Sequence, residues 1–220
     1  MELRAAIRSN GSVRAFRDDP VPDRVVAQIL DDARFAPSGG NRQPWRVANV
    51  RDPALRRGLA DLMQPVWNEY AAAQRNGIVP FNSVDYSAPD GFGTTPNQLL
   101  EHIESVPVVL VVAADLRKIV AMDHELDRAA IVPGASIYPF CWNAMLAARA
   151  HGVGGVMTTF LTRAEPDAAR LLRLPDHHAI AAVLFLGYPV HQPTRLRRNE
   201  VGSFATLDTF DGAPWPPSEP

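Results

Sequence analysis

Four stretches of this 220-residue chain carry residue types that could do chemistry. The densest is Ala36-Pro37-Ser38-Gly39-Gly40-Asn41-Arg42-Gln43-Pro44-Trp45, where two prolines and two glycines specify an irregular backbone. Ser38, Asn41 and Gln43 add donors and acceptors there. Such a loop suits a flat heteroaromatic ligand with several polar edges; a plain connecting turn would need only one Gly or Pro. The second stretch is Ser12-Val13-Arg14-Ala15-Phe16. A Ser and an Arg beside a helix end can hold a phosphate or an electron-rich ring edge, or can be an N-cap and a solvated cation. The third is Gly152-Val153-Gly154-Gly155-Val156-Met157-Thr158-Thr159. Its glycines permit close approach to a ligand, and Thr158 and Thr159 bring hydroxyls to a strand end; a buried strand with a Gly-rich start accounts for the same pattern. It is not a dinucleotide fingerprint, because Met157 stands where the third glycine belongs. The fourth is Arg195-Leu196-Arg197-Arg198, a set of guanidinium groups for phosphate or a solvated basic tail.

Other chemistries find little support. The six histidines show no metal-ligand spacing, so no metal site is expected. Ser9, Ser12 and Ser38 lie in no nucleophile-elbow context. Cys141 is the only cysteine, which excludes an internal disulfide and a cysteine-based zinc site. A formal charge of −2 makes no electrostatic case for nucleic acid or an anionic membrane. There is no apolar run of about 18 residues, and no apolar stretch of secretory length near Met1. The expectation is a cytoplasmic protein.

The elements that must position these stretches follow from periodicity. Helices are expected over residues 2–9, from Pro22 and Asp23 onward with Val26, Ile29, Leu30 and Ala33 on one face, and over 53–74. Residues 45–50 read as a strand. Gly77, Pro80, Pro89, Gly91, Gly93 and Pro96 break residues 76–97 into a long loop, and its length and its aromatics Phe81, Tyr86 and Phe92 point to a lid that contacts substrate. A short helix is expected over 97–104. The near-continuous apolar run 106–114 reads as a strand covered on both faces. Residues 136–150 form a helix apolar nearly all round, with Pro139 in its first turn, so it lies at the core or at a subunit interface. A strand over 153–159, a helix over 165–172 and a strand over 178–186 complete an α+β domain of residues 1–190, with 191–220 as its C-terminal arm.

In this order the segments resemble the FMN-dependent nitroreductase family over nearly the whole chain. Ser12-Val13-Arg14-Ala15-Phe16 followed by Pro20-Val21-Pro22 is similar to the family's opening. The A-P-S-G-G-N-x-Q-P-W run resembles its most specific motif. Gly134-Ala135-Ser136-Ile137-Tyr138-Pro139, leading through Asn143 to Gly154, resembles its central helix and following strand, and Leu186-Gly187-Tyr188-Pro189 with a later R-x-R resembles its end. The resemblance implies a small mixed sheet flanked by helices in an intertwined homodimer, with FMN at the subunit interface and NAD(P)H as electron donor. Ser12 and Arg14 would contact FMN; Pro37 and Ser38 would line the site from the partner subunit; Asn41 and Gln43 would contact flavin or shape the loop. Met157, Thr158 and Thr159 match the segment passing the reactive N5 edge, and Arg195 and Arg197 match the phosphate-holding tail. Asn10 departs from the family, many of whose members have Arg there. The implied activity is reduction of nitroaromatics, quinones or similar small flat electron acceptors by ping-pong hydride transfer. The alternatives are a flavin-based reductive dehalogenase, an oxygen-dependent flavin-consuming enzyme, or a flavin storage protein.

Overall fold

The two longest apolar runs become the two central strands of the sheet. The structure is a computed structural model that describes residues 2–215. Its strands are β1 (Trp45–Asn49), β2 (Val108–Asp115), β3 (Gly154–Thr158) and β4 (His178–Gly187), in the order β1-β2-β4-β3. The sheet is antiparallel at every pairing of the described residues, where a mixed sheet was expected.

Side chains alternate across β2 and β4, so each strand feeds two cores. Leu110, Val112, Leu184 and Leu186 face α2 (Asp23–Ala33) and α5 (Tyr138–Ala150), meeting Ile29, Ala33, Phe140, Cys141 and Ala144. Val109, Val111, Val183 and Phe185 face α3 (Pro53–Arg75) and α6 (Glu165–Leu172), meeting Leu59, Met63, Ile103, Leu161 and Ala168. The β2–β4 register slips between Val112 and Ala113, so Ala181 is the extra residue of a bulge. The bulge reverses the alternation: Ile180 joins the second core beside Val183 and Phe185.

The helices open near the expected positions. Asp52 caps α3 by accepting from the Leu55 amide. Buried Arg56, in the first turn of α3, donates to the carbonyls of Val50, Glu104 and Val106 and so ties α3 to the loops beside β1 and β2. Helix α5 begins at Tyr138, because residues 132–136 form a tighter 3-10 turn. Tyr138 and Trp142 remain partly exposed on this otherwise apolar helix. Residues 76–97 form an irregular loop, followed by the single turn of α4 (Gln98–Glu101). Helix α1 (Leu3–Ser9) precedes the extended segment that carries Ser12 and Arg14. No helix among the described residues is long and apolar enough to cross a membrane.

Candidate functional site

Residues 12–16 lie extended against two parts of the domain. The Val13 amide donates to the Gly155 carbonyl at 2.8 Å, Arg17 N to Tyr188 O at 2.8 Å, and Val190 N to Ala15 O at 3.1 Å. Extended backbone alternates its side chains. Val13 is therefore buried, and Ser12 and Arg14 emerge on the other side. They emerge into a cavity of about 720 Å³, a size suited to small ligands and cofactors.

This cavity brings together Ser12, Arg14, Met157, Thr158 and Thr159. It also has an aromatic wall absent from the sequence reading: Trp67 and Tyr70 of α3, with Phe160 beside Thr159. Trp67 stacks on Tyr70 at 5.9 Å between centroids, and Phe160 meets Tyr70 edge-on at 5.3 Å. The available signal was their i, i+3 spacing on α3, which a core-facing helix produces equally well. Arg14 has no carboxylate partner among the described residues. The cavity thus offers an aromatic wall and a cationic edge. Phe160 N donates weakly to Thr158 Oγ1 at 3.4 Å, leaving the Thr158 hydroxyl proton free for a ligand.

The glycines before Thr158 admit protein rather than ligand. A Cβ on Gly154 would lie 2.7 Å from Gln192 Oε1 and 2.8 Å from Val13 Cγ2. A Cβ on Gly155 would lie 2.5 Å from both the Phe185 carbonyl oxygen and Leu186 Cδ2. Gly154 admits the Val13 segment, and Gly155 lets β3 lie close on β4.

Other expected residues stand outside the cavity. The loop from Pro37 to Gln43 is largely exposed and elsewhere on the chain. Within it Gly40, Asn41 and Gln43 have φ near +50 to +60°. The Asn41 amide donates to Ser38 O at 2.8 Å, Gln43 N to Ser38 Oγ at 3.0 Å, and Gly39 N to the buried Ser136 Oγ at 3.0 Å. Arg195 and Arg197 are exposed and flank Leu196, whose Cδ2 lies against Gly11; this docks the arm one residue from Ser12. Gln192 Nε2 reinforces the joint by bonding the carbonyls of Ser9 and Gly11. Asn10 is buried, with both amide atoms unpartnered, and presents no charge to the cavity.

Phe81 and Tyr86 of the lid sit one layer behind the cavity wall. Phe81 packs on Tyr70 at 6.4 Å and on Tyr86 at 5.0 Å. Neither these two nor Phe92 lines the cavity, so direct substrate contact, the role expected of them, is not what this arrangement provides.

Behind Tyr138 and Trp142 lies a second, apolar cavity of about 860 Å³, walled also by Ile131, Leu116 and Ala181. Asp123 anchors its neighbouring loop. The Ile131 amide, at 2.8 Å, and the Arg128 guanidinium, at 2.7 Å, hold its carboxyl down to about 2.

The described residues thus form an antiparallel α+β domain that carries an aromatic-walled cleft with a cationic edge and, outside the cleft, an exposed polar loop. The family model for the Nitroreductase family matches residues 7–188. A "NADH dehydrogenase" of Thermus thermophilus is 30% identical over 87% of this chain and 89% of its own. A putative NAD(P)H nitroreductase of Bacillus subtilis, YfhC, is 27% identical over 90% of each chain. The solved NADPH:FMN oxidoreductase of Vibrio harveyi, complexed with NAD+, superposes with a TM-score of 0.67 at 20% identity, covering 93% of this chain and 76% of that one. The chain belongs to the nitroreductase family and is an oxidoreductase.

Proposed function

We propose that this chain is an NAD(P)H-dependent FMN oxidoreductase that reduces nitroaromatics, quinones or similar flat acceptors, using one cavity for donor and acceptor in turn. The observation that carries the reading is the 720 Å³ cavity, with Arg14, unpaired among the described residues, at one edge and Trp67, Tyr70 and Phe160 along a wall. Bound FMN supplies hydride acceptance from the nicotinamide and electron delivery to the acceptor. The protein supplies orientation, exclusion of water and charge. Arg14 and Ser12 hold the polar edge of the ring system, where a fixed cation favours developing negative charge. The hydroxyls of Thr158 and Thr159 are available as hydrogen-bond partners for ring heteroatoms, with Met157 beside them. Arg195 and Arg197, docked beside Ser12, hold the phosphate; Asn10 contributes no charge there. A stacking site shared by both substrates explains why no dinucleotide fingerprint is needed.

The exposed loop carrying Pro37, Ser38, Asn41 and Gln43 completes the site from a second copy. Tyr138 and Trp142 on α5 and the apolar 860 Å³ cavity beside them form the homodimer contact.

Purified protein supplied with FMN should be yellow and should bleach on anaerobic addition of NADPH or NADH. Double-reciprocal plots should be parallel, and R14A should raise the Kd for FMN about tenfold, the loss of one hydrogen bond to a charged group. Protein that stays colourless with FMN overturns the reading. Bound flavin that neither nicotinamide bleaches would point to flavin storage instead.

A further inference from the structure

Glu69 lies on α3 one residue before Tyr70, and its side chain is only 12% exposed. One carboxylate oxygen accepts from the Tyr86 hydroxyl at 2.8 Å, and the other faces Arg163 at 3.5 Å. The Arg163 guanidinium sits over the Phe81 ring, 4.5 Å from its centroid. One carboxylate therefore joins the lid, through Tyr86, to the turn that carries Phe160 and Arg163. Phe81 packs on Tyr70, the same ring whose other contacts, Trp67 and Phe160, form the cavity wall, and Tyr86 backs Phe81. The far end of the lid is stapled separately. Thr95 O accepts from Gln64 and Trp67, Thr95 N donates to Asn68, and Thr95 Oγ1 accepts from Arg75. Phe81 has φ +55°, a left-handed backbone an aromatic residue holds only when its surroundings impose it.

We infer that Glu69 is a positioning residue that sets acceptor preference from behind the wall: through Tyr86 and Arg163 it latches Phe81 onto Tyr70, which in turn backs Phe160, and so fixes how wide a ring system the cavity admits. The inference rests on the proposed reading of this cavity as the acceptor site. The latched lid keeps the wall closed down for single-ring acceptors. Releasing it lets Tyr70 and Phe160 retreat, which removes contact from a small ring and makes room for a fused one.

The test compares the parent, E69A and E69Q as FMN-loaded enzymes, with 1,4-benzoquinone and 9,10-phenanthrenequinone as acceptors. Gln at this position still accepts from Tyr86 but turns its NH2 toward Arg163, so E69Q keeps one arm of the latch and should lie between the parent and E69A. E69A should lower kcat/KM for benzoquinone about tenfold, through KM, with phenanthrenequinone unchanged or improved. The Kd for FMN and the rate of flavin bleaching by NADPH should change less than twofold. Hydrogen exchange, measured with and without FMN, should accelerate in E69A over residues 78–94 and not in β4. Faster lid exchange with an unchanged acceptor ratio overturns the inference and leaves the proposed function standing. Unchanged lid exchange in E69A overturns it as well, because the latch then holds nothing. If the parent reduces neither quinone, the proposed function falls and this inference with it.

Discussion

Placing a methyl group on Gly155 tests whether β3 positions the Ser12–Arg14 segment. The added Cβ would lie 2.5 Å from the Phe185 carbonyl oxygen and 2.5 Å from Leu186 Cδ2, with Met145 Cε at 3.4 Å. A leucine methyl can rotate away, but a strand carbonyl cannot move without disturbing the β3–β4 ladder, where Gly155 pairs with Leu186. Overpacking of this kind costs about 3 kcal/mol. Alanine recovers roughly 0.4–1 kcal/mol by restricting the unfolded chain, so the clash wins and the net loss is about 2–3 kcal/mol. For a chain of this length that lowers Tm by about 4–12 °C. At Gly154 the nearest atoms are Gln192 Oε1, whose amide is held by the carbonyls of Ser9 and Gly11, and a methyl of buried Val13, so G154A should also cost about 1–3 kcal/mol. At Gly93 nothing lies within 4 Å, and G93A should be neutral or slightly stabilising. The Gly155 carbonyl also accepts from Val13 N, so G155A should shift Ser12 and Arg14 and weaken FMN binding about tenfold, the effect of one lost charged hydrogen bond. Urea unfolding at fixed protein concentration gives the stability order, and flavin titration gives the affinity. G155A within about 0.5 kcal/mol of the parent, with unchanged FMN affinity, would refute the reasoning.

Two further outcomes follow from ionisable groups. Asp123, held down to about 2 by the Ile131 amide and Arg128, should stabilise the fold above the ordinary carboxylate range of about 3.9 and lose that contribution as pH falls through about 2. D123N should therefore be less stable than the parent at pH 7, with the gap closing toward pH 2; a gap independent of pH counts against the assignment. The thiol of Cys141 is pushed up to about 12 by burial, so native protein at pH 8 should resist a chromogenic disulfide reagent and titrate as one thiol in urea. Rapid labelling of the native state would contradict the burial of α5.

Elements governed by local periodicity were readable from the residues. The runs around Val108–Asp115 and His178–Gly187 announced buried strands, and the all-round apolar character of α5 announced a central helix. Strand pairing was not readable, because the antiparallel order depends on contacts between residues far apart in sequence. The bulge at Ala181 is likewise a property of the paired sheet. Among site residues, Ser12 and Arg14 share the cavity with Met157, Thr158 and Thr159 because Val13 bonds to Gly155, a contact no spacing rule predicts. Trp67 and Tyr70 were hidden for the opposite reason: on an amphipathic helix, aromatics that line a cleft and aromatics that fill a core have the same period. The lid aromatics were visible as residues but not as a layer, since sequence does not reveal that Tyr70 stands between Phe81 and the cavity.

The distribution of strain bears on how the site is assembled. Asn41 and Gln43 adopt left-handed backbone on either side of Arg42, each at a cost of about 1 kcal/mol or more for a residue with a Cβ. Both are exposed, so core packing does not repay that cost. The loop is nevertheless determined by bonds to both the backbone and the hydroxyl of Ser38, and by Ser136, which lies in the turn before α5. A strained, exposed loop adds little to the stability of a single chain; on the proposed reading it serves binding, where preorganisation removes the entropy cost of ordering polar groups around a ligand. Its anchor at the start of α5 ties it to the helix that exposes Tyr138 and Trp142. Docking that helix on a second copy would therefore carry the preformed loop to the new interface as a unit, which is what a ring site shared between two chains requires.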